Sequence, residues 1–330
     1  MSERRDNTGR GSNGAEAADS CLAASPVLRL TGLDALRGIA ALVVLAHHVT
    51  ALHGFTFAPR GYLAVDFFFM LSGYVMARTY EPMPGNFMMR RLRRIWPLVA
   101  LGTVMGLSFY PPDKAMLLLI PGLLLIPTRI GSGPYPLNGP TWSVAFELLA
   151  NLAHQLAFAK LSTRTLMLIA VPLLLFCMAQ AVQLGSYNYG HDNATFWLGV
   201  PRAMSTYLIG ICMFRIFRDR APVRIAPWLT VLAIPLLTVP ALPGGAWVDI
   251  AFVALCPIIL VGALQFGGRW CTALGAISFP LYATHLPILH LVKDYHWSAG
   301  VAAALMVACF IAAVSGPLVR LNRKMAAAKA

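Results

Sequence analysis

The chain has 330 residues, 58% of them hydrophobic and 12% charged, with a mean hydropathy of +0.67 and a formal net charge of +13 at pH 7. Apolar runs of the roughly 20 residues needed to cross a bilayer recur along most of it, which excludes a soluble domain built on one core. The arginines sit between those runs, so the positive balance serves topology and anionic ligands rather than a nucleic-acid face.

Residues 1–28 are rich in Ser, Gly, Asn and Ala, lack an apolar run, and read as a disordered cytoplasmic tail. No secretory signal is visible, because the first apolar stretch begins too far in and lacks a cleavage site. That stretch, L-D-A-L-R-G-I-A-A-L-V-V-L-A-H-H, forms the first candidate span, 35–54. Arg37 and His48 within it are eleven positions apart. At about 100° per residue they share one helix face, about 16 Å apart along the axis, whereas His47 points about 100° away. A charge and an imidazole on one stripe of a membrane helix are costly and mark function.

The second span, 62–80, carries V-D-F-F-F-M-L-S-G-Y, with Asp66 near its start and the small pair Ser72-Gly73 at its middle. Small residues let neighbouring helices approach, so packing is the favoured role for that pair. F-M-M-R-R-L-R-R-I-W-P then places four arginines just before the third span, 95–110. Such a run sets topology and attracts anionic lipid. Arg91 and Arg94, three apart, also face one side of a helix and can clamp phosphates.

Positive-inside counting puts this basic loop, and hence the N-terminus, in the cytoplasm. The short segment 115–126, broken by Pro121-Gly122, is read as a re-entrant or surface helix within an outer loop, 111–141. The remaining candidates are 143–160, 165–184, 200–217, 225–241, 246–266, 275–293 and 298–319. The expected fold is therefore an all-α transmembrane bundle of ten spans, over residues 29–322, with both termini cytoplasmic and a short tail at 323–330. The basic residues Arg320, Arg323, Lys324 and Lys329 then lie inside. No internal repeat is evident, which counts against a symmetric transporter.

In this topology His48, Asp66 and Glu147 (of T-W-S-V-A-F-E) share a depth in the outer half, with Arg37 well below them. A carboxylate beside an imidazole orients it as a general base requires. Both acids also suit helix starts, where the dipole favours negative charge. Tyr282 and His285, in I-S-F-P-L-Y-A-T-H, sit three apart in one span. The six cysteines show neither metal spacing nor a disulfide framework, and no metal site is expected.

Taken in order, these five motifs resemble the acyltransferase family 3 membrane proteins, which transfer acyl groups, commonly acetyl, onto hydroxyls of carbohydrates and some small molecules. The family's Arg-then-ten-then-His pattern falls on Arg37 and His48, its Arg-x-x-Arg-x-x-Pro pattern on Arg91, Arg94 and Pro97, and its Trp-Ser-x-x-x-Glu pattern on Trp142, Ser143 and Glu147. The resemblance implies an O-acyltransferase of the bacterial cytoplasmic (inner) membrane, with acyl-CoA as donor substrate, a carbohydrate acceptor, no tightly bound cofactor and no nucleic-acid partner. It places His48, Glu147 and Asp66 at the chemistry, Arg37, Arg91 and Arg94 on the donor, and Trp142, Ser143, Tyr282 and His285 around the substrate. Two rival readings are a transporter or exporter binding an anionic or sugar solute without covalent chemistry, and a non-enzymatic membrane partner in polysaccharide assembly.

Overall fold

The computed structural model describes residues 30–327 apart from 55–56, 82–84, 86, 132 and 239–241, and their side chains apart from those of 87, 237 and 316–327. The tail expected at 1–28, and the side chains of the basic C-terminal segment, lie outside the described residues. Those residues form eleven α-helices joined by short 3-10 turns and loops, and no strand.

The helix α1 (Thr31–His53) has Asp34 in its first turn, favourable at the positive dipole end, and stops at Gly54, whose φ of 70° is a left-handed conformation suited to glycine. A 3-10 turn, Gly61–Leu63, leads into α2 (Ala64–Tyr80). The next helix, α3 (Phe87–Met105), begins well before the expected 95, so Arg90, Arg91, Arg93 and Arg94 lie inside its first two turns instead of preceding it. Basic residues oppose the dipole at a helix N-terminus, so their placement there has to be offset by negative charge. Pro97 lies within α3 and removes one backbone hydrogen bond from it.

The short helix expected in the 111–141 loop is α4 (Pro112–Leu123), whose 12 residues cover about 18 Å, too little to cross a bilayer core. Then follow α5 (Thr141–Leu156), α6 (Thr163–Leu184), α7 (Gly199–Phe217), α8 (Pro227–Thr238), α9 (Ala246–Ala263), α10 (Arg269–Leu291) and α11 (Trp297–Ala327). Five of these, α1, α6, α9, α10 and α11, are long and apolar enough to cross a membrane among the described residues.

Large apolar side chains such as Leu168, Leu175 and Phe176 on α6, and Met306 and Phe310 on α11, are exposed, whereas Asp66, Arg202, Asn151, His154, Asp249 and His285 are buried. Apolar groups outside and paired polar groups inside are what a lipid solvent favours. Two close helix pairs fix the interior, α1 on α10 and α2 on α7. The backbone of α1 approaches α10 at Gly38, where a Cβ would lie 2.7 Å from the Leu274 carbonyl oxygen. A Cβ at Gly73 of α2 would lie 2.0 Å from the Tyr207 carbonyl oxygen on α7. Gly73 thus packs as small residues do in membranes, whereas Ser72 turns to Glu147 and Arg91.

Candidate active site

Two cavities lie towards opposite ends of α1. The first, of about 570 Å³, is lined by Arg37 from α1, Arg78 and Ser72 from α2, Arg90, Arg91 and Arg94 from α3, Glu147 from α5 and Tyr282 from α10. Arg90, Arg91 and Arg94 follow i, i+1, i+4 spacing, so one face of α3 supplies three guanidinium groups. Arg37 is 3.8 Å from Asp34, and Arg78 is bonded to Asp219 at 2.6 Å. Arg91 is bonded to Glu147 and, at 2.9 Å, to the Ser72 hydroxyl, which itself donates to Glu147 at 2.7 Å. Glu147 therefore supplies negative charge that the crowded α3 N-terminus requires. Five arginines face two carboxylates, Asp34 and Glu147, along this lining, which makes it a basin for a polyanion.

The second cavity, of about 730 Å³, is lined by His48 from α1, Tyr110 and Trp142, His191 from the α6–α7 loop, and His290 and Lys293 at the end of α10. His285 on α10, wholly buried, bears directly on His48. Its Nδ1 lies 3.0 Å from the Leu281 carbonyl and 2.9 Å from the Tyr282 carbonyl, so it carries the proton and donates to them. The lone pair of neutral His285 is then on Nε2, which sits 3.2 Å from His48 Nδ1. His48 Nδ1 is also 2.9 Å from the Val44 carbonyl, so it too is a donor. This network assigns the His48 lone pair to Nε2, the tautomer of a general base. His47 points elsewhere, its Nδ1 3.1 Å from the Ala58 carbonyl.

The two linings come together on α5 and α10. Ser143 Oγ and the Tyr282 hydroxyl are 2.5 Å apart and line the arginine cavity, while Trp142, the neighbour of Ser143, lines the other. The Tyr282 and His285 rings are 6.0 Å apart, and those of His285 and His48 are 4.9 Å apart. From arginine cavity to histidine cavity the path is Tyr282, His285, His48.

Neither carboxylate, Asp66 or Glu147, is paired with His48. Asp66 does not orient His48: it binds Arg202 through both oxygens, at 2.9 and 2.6 Å, and both side chains are fully buried. A carboxylate out of water takes the strongest counter-charge in reach, and a bidentate guanidinium is the strongest the chain offers. The Arg202 guanidinium also lies 5.7, 5.1 and 5.4 Å from the rings of Trp142, Tyr187 and Tyr189. Asp66 thus reaches the second cavity only through Arg202 and Trp142. Glu147 lies with the arginines because it is six residues into α5, about 9 Å beyond the end that carries Trp142.

Of the ten residues expected at the site, Arg37, Arg91, Arg94, Glu147, Ser143 and Tyr282 line the first cavity, His48 and Trp142 line the second, and His285 adjoins His48. Asp66 stands behind Trp142. The motifs did not single out Arg202, although an arginine inside an apolar run was the available signal. Arg78 and Arg90 also went unassigned to the basin. On the loop between α6 and α7, burial pushes the His191 imidazole down, Asp192 at 3.9 Å pulls it up and Arg202 lowers it again, so it rests below the usual histidine value.

Among known proteins, the chain is similar to protein 2 in the picA locus of Rhizobium radiobacter, at 29% identity over 187 residues, covering 48% of this chain and 97% of that protein. It is also similar to YrhL of Bacillus subtilis strain 168, named as a candidate peptidoglycan O-acetyltransferase, at 26% identity over 216 residues. That match covers 56% of this chain and 33% of the relative, so the chain spans about a third of it. No solved structure matches the chain. The acyltransferase domain that defines acyltransferase family 3 matches residues 30–319, and the chain belongs to that family.

Proposed function

We propose that this membrane acyltransferase moves an acetyl group from acetyl-CoA, held in the arginine cavity, to a carbohydrate hydroxyl in the His48 cavity. The observation that carries the reading is the arginine-lined cavity and the His48 cavity, linked through Tyr282, His285 and His48. A basin of guanidinium groups suits the phosphates of CoA, and its volume of about 570 Å³ is within the usual range of small-molecule sites, about 300–1,000 Å³. The basin opens to the cytoplasm, with both termini on that side of the bacterial inner membrane.

In the reaction His48 Nε2 takes the proton of the acceptor hydroxyl as its oxygen attacks the thioester carbonyl. The new C–O bond forms, the C–S bond breaks, and the proton on His48 passes to the departing CoA thiolate. His285 holds His48 in the tautomer that can accept this proton, in the way an orienting group serves a catalytic histidine. The hydroxyl groups of Tyr282 and Ser143, at the boundary of the donor cavity, are placed to steady the thioester carbonyl as it gains negative charge.

The test is release of free CoA by purified protein supplied with acetyl-CoA and a saccharide acceptor. Acceptor-dependent release, lost in His48→Ala, supports direct transfer. Acetyl-CoA hydrolysis without acceptor, with labelled acetyl trapped on the protein, overturns it in favour of an acyl-histidine. Solute movement with no CoA release identifies a transporter.

A further inference from the structure

We propose that the His48 cavity selects an anionic sugar, one carrying a carboxylate or phosphate, through Lys293 and the histidines beside it; this rests on the acyl-transfer reading only for its catalytic assay. The cavity's chemistry is one-sided. Among the described residues its lining includes Lys293, His48, His191 and His290, and no aspartate or glutamate. Neutral saccharides offer hydroxyl donors that sites commonly satisfy with carboxylate acceptors, and this lining supplies none.

Asp294, next to Lys293 in sequence, and Asp192, 3.9 Å from His191, do not line the cavity, and three nearby acids have partners of their own. Asp66 is taken by Arg202. Asp249 accepts from Arg60 at 3.0 Å, Tyr62 at 2.7 Å and the Tyr187 amide at 2.8 Å. Asp192 accepts from Thr195, at 2.7 Å from its hydroxyl and 2.8 Å from its amide. The Arg202–Asp66 pair is internally neutralised, which leaves Lys293, exposed where α10 ends, as the permanent charge lining the cavity.

Tyr110 and Trp142 add aromatic surface that suits the apolar faces of a pyranose ring. At about 730 Å³ the cavity lies within the usual range for small-molecule sites, about 300–1,000 Å³. An anionic substituent would meet Lys293 while another hydroxyl of the same saccharide faces His48.

The test uses the full chain in nanodiscs and matched sugars: methyl β-glucuronide against methyl β-glucoside, and glucose 6-phosphate against glucose. Binding is read by tryptophan fluorescence or calorimetry without donor, and acetyl transfer by mass spectrometry with acetyl-CoA. The anionic member of a pair should bind about tenfold more tightly, the factor of one charge-assisted contact. Lys293→Gln should bring the two members to near equality, and Lys293→Arg should restore the difference. The two pairs separate carboxylate from phosphate, and preference in either one supports the proposal. Equal or weaker binding of both anions, or a preference unchanged in Lys293→Gln, overturns it. Preferential binding with no acetyl transfer to any sugar leaves the cavity's selectivity standing and sinks the acyl-transfer reading instead.

Discussion

At the scale of single residues, the arrangement turns on one imidazole nitrogen. His285 is fully buried and hydrogen-bonded on both ring nitrogens, so its tautomer is set by two backbone carbonyls. It passes that constraint to His48. Replacing His48 by Ala should cut acceptor-dependent CoA release by on the order of 10²–10⁴, the worth of a general base, with little change in the KM for acetyl-CoA. His285→Phe should lower kcat in the same direction but less, because His48 stays in place with its tautomer less firmly set. Its pH–rate profile should keep the acid limb that His48 protonation causes. Activity falls as pH drops through that limb, since protonated Nε2 has no lone pair to offer. Disappearance of the limb in His285→Phe would assign the titration to the wrong histidine. On the donor side, Arg94→Gln should raise the KM for acetyl-CoA while leaving kcat within a few-fold, as expected for a contact equal in ground and transition states.

Between helices, stability rests on close backbone approach and on one buried ion pair. Gly73→Leu would drive side-chain atoms into the Tyr207 carbonyl of α7, and overpacking of this kind costs about 1–3 kcal/mol, measurable as a lowered melting temperature. Arg202→Met strands Asp66 without its partner, for which about 3–5 kcal/mol is the expected loss. Asp66→Leu combined with Arg202→Met should recover much of it, because the buried carboxylate goes with its counter-charge. Independent, additive losses in that double-mutant cycle would contradict the pairing.

The helices themselves were legible in the sequence from their apolar runs, though among the described residues five, not ten, are long and apolar enough to cross a membrane. The Arg37–His48 stripe and the Arg91–Arg94 face were legible because both follow from helical periodicity over short distances. The partner of Asp66 was not, because Arg202 is 136 residues away and only the packing of α2 on α7 joins them. The depth of Glu147 was misjudged for a simpler reason. It was placed one turn into its span yet level with His48, whereas the rise from Thr141 already carries it to the arginine cavity. His285 was expected to touch substrate, and its contact with His48 could not be read from a sequence separation of 237.

For the molecule as a whole, the apolar exterior, the buried polar interior and the two cavities would, on the proposed reading, let reactants meet from opposite ends of α1. The arginine cavity would receive donor from the cytoplasm, and the His48 cavity would receive acceptor from the other face. Cysteine labelling from either side of the membrane should place residues near Arg90 on the cytoplasmic face and residues near His191 on the opposite one. The most direct test reconstitutes purified protein in uniformly oriented proteoliposomes, with acetyl-CoA confined to the face of the arginine cavity and the saccharide acceptor confined to the other. Acetylated acceptor on its own side, with free CoA on the donor's side and neither formed by His48→Ala, is the expected result. Acetylation only when donor and acceptor share one face would contradict transfer between the two cavities.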